Sequence, residues 1–152
     1  MTAADLNSVL WRERELLESL LFFLETEQLI LASGRTRWLP RASAEIDRAT
    51  SALRSTELLR AAQADEVAED LGLAADPSLN ALAEAAAEPW GTIFEDQREA
   101  FLSITTQIAE TASANRAMLA AGQRTTREAL LALADPSPVA PDSPAQLADQ
   151  GQ

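Results

Sequence analysis

The sequence predicts an all-α fold, an elongated antiparallel bundle of three long helices plus one short helix, followed by a disordered Pro-rich C-terminal tail. Three observations carry that expectation. Ala and Leu dominate the 152 residues, Gly numbers only 5, and the β-branched and aromatic residues that strands favour are sparse. Apolar residues recur at helical steps of three, four and seven over stretches of about 30 residues. Gly34, Pro40, Gly72, Pro77 and Pro89 fall between those stretches, where helices stop and start. A chain of this length supports one core, so the reading divides it into a helical domain, 1–134, and a tail, 135–152.

The first helix opens at Thr2, a suitable N-cap, with Asp5 supporting the first turn. Its apolar stripe runs through Leu6, Val9, Leu10, Leu16, Leu17, Leu20, Leu21, Leu24, Ile30 and Leu31. Glu13, Glu15, Glu18, Glu25 and Glu27 are expected on the remaining, solvated surface. Gly34 suits the left-handed residue that ends a helix. At 1.5 Å per residue such a rod is roughly 45 Å long, too long for a compact globule.

A turn at 35–39 leads to Pro40, tolerated as a first helical residue because its missing N–H would be unpaired there anyway. The second helix carries Ala42, Ile46, Ala49, Leu53, Ala64, Val67 and Leu71 on an approximate heptad seam, and Gly72-Leu73 reads as its C-terminal stop. A short helix is expected from Leu79 to Ala87. The third long helix starts near Trp90 with Phe94, Phe101, Ile104, Ile108, Ala112, Asn115, Met118 and Leu119 on its seam. Gly122 either breaks that helix or weakens it by about 1 kcal/mol, ahead of Leu130, Leu131 and Leu133. Beyond Ala134, Pro136, Pro138, Pro141 and Pro144 lie among Asp, Ser, Ala and Gln. Such a segment buries too little apolar surface to offset its ordering entropy.

The missing residue types exclude most chemistry. There is no His, Cys, Tyr or Lys, and all 12 basic residues are Arg. Zinc and redox-metal sites, Ser–His and Cys–His nucleophiles, Lys-based nucleophiles and a Lys-tipped phosphate loop are therefore closed. Carboxylate pairs remain possible among 24 acidic residues, but on helices these read as solvated faces. No cofactor, no metal and no catalytic residue is expected. The net charge of −12 argues against nucleic acid and against anionic membrane. No segment has the length of a membrane span or the basic start of a secretory signal, so the expected location is the cytoplasm. From Arg60 to Arg98 no basic residue intervenes, while nine acidic ones occur from Asp65 to Asp96. That belt reads as a solubilising surface or as a docking face for a basic partner.

What remains is binding to another macromolecule. Asn115, polar in an apolar seam, selects helix register or hydrogen-bonds a bound chain. Trp38 and Trp90, each beside a helix start, read as clamps on turns or as interface anchors. Past Ile108 the third helix is open to two readings, buried core or an apolar groove that accepts an amphipathic helix. A self-associating coiled-coil scaffold with no client shares most of these features.

Several runs resemble a known family. They are WRERELLE from Trp11, FFLETEQLILASGR from Phe22, Arg37-Trp38-Leu39, Glu57-Leu58-Leu59-Arg60-Ala61, Leu71-Gly72-Leu73, Pro89-Trp90 and Asn115-Arg116. As an ordered set over roughly Leu6 to Ala134, they are similar to FlgN-type flagellar export chaperones of high-GC Gram-positive bacteria. The resemblance implies a cytosolic chaperone for hook-associated proteins of the hook–filament junction. It would hold their terminal helical segments and bring them to export gate or ATPase components. It also implies that the C-terminal part holds the client, here Ile108, Asn115, Met118, Leu119, Leu130, Leu131 and Leu133.

Overall fold

Helix boundaries in the computed structural model, which describes residues 2–134 with side chains from residue 3, follow the stop signals closely. Helix α1 spans Thr2–Ser33, a 3₁₀ turn spans Thr36–Trp38, and α2 spans Leu39–Leu71. Helix α3 covers Leu79–Ala85, two residues shorter than expected, and α4 covers Trp90–Ala134. The expected tail at 135–152 and the side chain of Thr2 lie outside the described residues. Among the described residues no helix is long and apolar enough to cross a membrane.

Gly72 takes φ 71°, and two hydrogen bonds close the end of α2: Gly72 N–H to the Glu69 carbonyl at 3.2 Å and Leu73 N–H to the Ala68 carbonyl at 2.8 Å. Both orphan carbonyls are thereby satisfied, and the left-handed turn redirects the chain toward α3. Ser78 caps α3, its hydroxyl accepting from Ala81 N–H at 3.0 Å. Gly122 lies within α4 without interrupting it, and Thr126 donates to its carbonyl at 3.0 Å.

The chain divides into two compact units, Met1–Leu119 and Ala120–Gln152. The first holds the core. Glu13 meets Arg60 while Leu17 packs with Leu53, so α2 runs antiparallel to α1. Asn7 meets Gln97, Leu17 packs with Ile104, and Leu24 meets Asn115, so α4 runs beside α1 in the same direction. One apolar cluster joins Leu6, Leu10, Ala64, Val67, Leu82 and Phe94, with Trp90 packed against it. A smaller one joins Leu17, Leu53 and Ile104, flanked by half-buried Phe101 and Ile108. In the second unit, every described side chain from residue 120 to 134 is exposed.

Two residues expected on the solvated surface are buried instead. Glu13 and Glu27 lie in the seam with Leu6, Leu10, Leu17 and Leu24, because alternating steps of four and three from Leu6 land on both. Each finds a polar partner there. Arg60 Nε reaches Glu13 Oε2 at 3.1 Å, and Asn115 engages Glu27.

Burial raises the pKa of Glu13 above its ordinary value. Arg60 opposes that shift and nearby Glu57 adds to it. With a raised folded pKa, the folded chain keeps a proton that the unfolded chain has released. Its stabilising effect is present at acid pH and is lost as pH rises through the folded value. Glu13→Leu, which completes the seam and leaves Arg60 room to reach water, is expected to stabilise the domain at pH 7 by about 1–3 kcal/mol. Denaturant unfolding at pH 7 and at pH 4 checks this. The gain should shrink at pH 4, and a loss of stability at pH 7 would show that the ion pair outweighs its desolvation.

Candidate functional site

The seven residues expected to hold a client fall into three environments. Ile108 is half-buried beside the Leu17–Leu53–Ile104 cluster. Asn115 is only 1% exposed, whereas Met118 and Leu119 on the next turn are half-buried. Leu130, Leu131 and Leu133 are 61%, 62% and 79% exposed.

Asn115 is committed to the interior. Its side-chain amide donates to the Leu24 carbonyl at 2.9 Å and to Glu27 Oε1 at 3.0 Å. Both amide hydrogens are thereby used, while its Oδ1 has no hydrogen-bond partner and the residue lines the floor of a groove. Of the two readings open to it, the geometry serves helix register, because sliding α4 by a turn would bury Asn115 and Glu27 unpaired. Asn115→Ala is expected to cost about 1–3 kcal/mol by leaving Glu27 without its donor. A double-mutant cycle with Glu27→Ala should give a coupling of about 1 kcal/mol, and simple additivity would remove the pairing from the account.

Outside that bond lies a groove of about 260 Å³ among α1, α2 and α4. Leu24, Ile46, Ala112 and Leu119 supply its apolar wall, and Glu27 and Asp47 its carboxylates. In the second unit, the run 129–134 consists only of Ala and Leu. Leu130, Leu131 and Leu133 of that run all face solvent.

The two tryptophans behave differently. Trp90 stacks on Phe94, centroids 6.1 Å apart, and closes the main core cluster as a turn clamp should. Trp38 is 46% exposed and carries the Arg37 guanidinium 5.1 Å above its ring.

Sequence reasoning missed a second apolar surface at the α1–α2 turn. Phe22 is 63% exposed, and with exposed Trp38 and half-buried Phe23 and Ile30 it walls a groove of about 280 Å³. The signal was the adjacent pair Phe22-Phe23. Neighbouring helical positions diverge by about 100°, so both cannot face one core.

The acidic belt sits on the C-terminal third of α2, on α3 and on the start of α4. Asp65 accepts the Asp76 backbone N–H at 2.7 Å, and most of the other carboxylates are exposed. No group of three or more acidic residues is arranged to hold a metal among the described residues.

A protein-family model described as FlgN protein matches residues 1–137. No curated protein and no solved structure matches the chain.

Proposed function

The chain belongs to the FlgN family of flagellar export chaperones, and from that premise we propose that it holds the terminal helical segments of hook-associated proteins in the cytoplasm and presents them to the export apparatus. The observation that carries this reading is the exposure of Leu130, Leu131 and Leu133 on a helix with no buried residue from 120 to 134. This stretch continues α4 without buried contacts of its own, so only helix propagation holds it. Packing against an amphipathic partner helix would bury the three leucines and strengthen both helices together.

The mechanism is coupled folding and binding. A hook-associated segment that is unfolded alone becomes helical against the leucines, and part of the contact energy goes into ordering it. The affinity is then moderate, about 10 nM to 10 μM. That range protects the client from aggregation and still allows release to gate or ATPase components. Ile108, Met118 and Leu119 are assigned a supporting role on the first unit, where the client could cover their half-buried edges. Residues 1–134 form the chaperone domain in this reading. The acidic belt keeps the protein soluble and orients basic surfaces of client or gate.

Calorimetric titration with the C-terminal helical segments of hook-associated proteins tests the proposal. One-to-one binding with a rise in helicity by circular dichroism is expected. No heat at about 100 μM peptide, together with a tight oligomer by sedimentation, would favour the client-free coiled-coil scaffold.

A further inference from the structure

The α1–α2 turn carries a surface that the client reading does not use. Its groove is walled by Phe22, Phe23, Ile30 and Trp38, with Arg41 and Glu45 on the rim. Two of the walls, Phe22 and Trp38, are exposed large apolar side chains, at 63% and 46%. Leaving them in water is unfavourable, at about 25 cal/mol for each Å² that a partner would cover.

The charge around the groove specifies what would cover it. From residue 28 to residue 44 there are three arginines and no acidic residue, in a chain whose net charge is −12. Glu45, the one carboxylate on the rim, is paired with Arg48. Arg37 stacks on Trp38, Arg41 stands at the rim, and neither forms an ion pair among the described residues. Two guanidinium groups thus flank an apolar slot with no carboxylate of their own. We propose that this turn is a second docking surface, taking an acidic protein segment that inserts one aromatic or leucine side chain between Phe22, Phe23 and Trp38 while its carboxylates pair with Arg37 and Arg41.

The occupant must be short in its negative charge. Glu15 and Glu18 flank Phe22 and Phe23 on the α1 side, so a polyanion extending past the turn would meet like charge. Nucleic acid and an anionic bilayer both extend in that way, and the remainder of the chain repels them. A peptide with a few carboxylates around one apolar anchor fits within the basic turn. Guanidinium–carboxylate pairs formed beside an apolar slot are partly desolvated, which strengthens them relative to open-surface pairs. The assignment rests on the first unit alone, so it stands or falls apart from the client reading.

The test uses the full-length protein and fluorescein-labelled synthetic 12-residue peptides. One set places a single Phe or Leu among Asp and Glu, and a control set has Lys at every acidic position. Fluorescence anisotropy should show saturable binding of the acidic set with Kd about 10–200 μM and none of the lysine set. Arg37→Glu with Arg41→Glu should weaken the acidic set by at least about tenfold and confer binding of the lysine set. Phe22→Ser, at an exposed position, should weaken the acidic set while circular dichroism stays unchanged. Equal binding of both sets, insensitivity to the arginine pair, or no saturation by about 1 mM would overturn the proposal. So would retention of phosphatidylglycerol vesicles or an oligonucleotide by Arg37 and Arg41 when the peptides are ignored. Self-association abolished by the charge reversal would overturn it too, by assigning the groove to a second copy.

Discussion

Phe94→Ala is expected to destabilise the helical domain by about 3–5 kcal/mol, the largest loss of any single truncation in this chain. Phe94 is fully buried at the start of α4, where it joins Leu6 and Leu10 of α1, Ala64 and Val67 of α2 and Leu82 of α3 in one cluster. It is the side chain on which all four helices converge, and Trp90 stacks on its ring. Removing the ring loses its transfer free energy and leaves a cavity lined by α1, α2 and α3, with the ends of three helices held apart by their own backbones. For a domain of this size the loss corresponds to a fall in melting temperature of roughly 10–20 °C. Leu102→Ala is the matched control, because Leu102 lies on the exposed face of the same helix, and its effect should stay within about 0.5 kcal/mol. Thermal unfolding followed at 222 nm measures both. A loss below about 1 kcal/mol for Phe94→Ala would mean that the convergence of four helices does not hold this end together.

The polar groups of the interior explain how helices rich in Ala find one alignment. Three pairs tie α1 to its neighbours. Gln97 donates to Asn7 Oδ1 at 3.2 Å, Arg60 pairs with Glu13, and Asn115 donates to Glu27. Apolar seams of Ala and Leu pack acceptably at several offsets, because one small or branched side chain substitutes for another. A slip of either neighbour along α1 would leave a buried amide or carboxylate without its partner, at about 1–3 kcal/mol for each group. The pairs therefore contribute less to the depth of the folded minimum than to its uniqueness, and Glu13 shows the cost most directly through its raised pKa.

Helix termini were legible in the sequence because they are set locally. Gly34, Pro40 and Gly72 act through backbone conformation and through hydrogen bonds within a few residues. The interior polar pairs were not legible, since Glu13 and Glu27 resemble other glutamates on a charged helix until their partners are placed. A heptad count from Leu6 would have put both in the seam, whereas assigning charged residues to the surface removed them. Asn115 was legible as a polar residue in an apolar stripe, and only three dimensions showed that α1 takes up both of its amide hydrogens. Gly122 could not be decided locally. One glycine costs a helix about 1 kcal/mol, which the surrounding helix-favouring run of α4 offsets.

Replacing Leu130, Leu131 and Leu133 together by Asp is expected to weaken the binding of hook-associated segments by at least about a hundredfold, equivalent to about 2.7 kcal/mol. Each leucine buried against a partner helix contributes on the order of 1.5–3 kcal/mol before ordering costs, so the loss of three exceeds that threshold even after a large discount. The three side chains are 61–79% exposed, and the first unit's core contains none of them. Cooperative unfolding should therefore stay within about 2 °C of the unsubstituted protein. Aspartate near a helix C-terminus also opposes the helix dipole. The triple Ala variant separates that effect, because it keeps helix propensity while removing the apolar surface. Both triples should lose the client, and the Ala variant should keep its helicity. Retained binding in the Ala variant would assign the earlier loss to helix unravelling and move the client onto the first unit, where the groove beside Leu119 and Ile46 is the next place to mutate. A fall of about 10 °C in either variant would instead show that the leucines are packed in solution, and the exposed-helix basis of client capture would be lost with it.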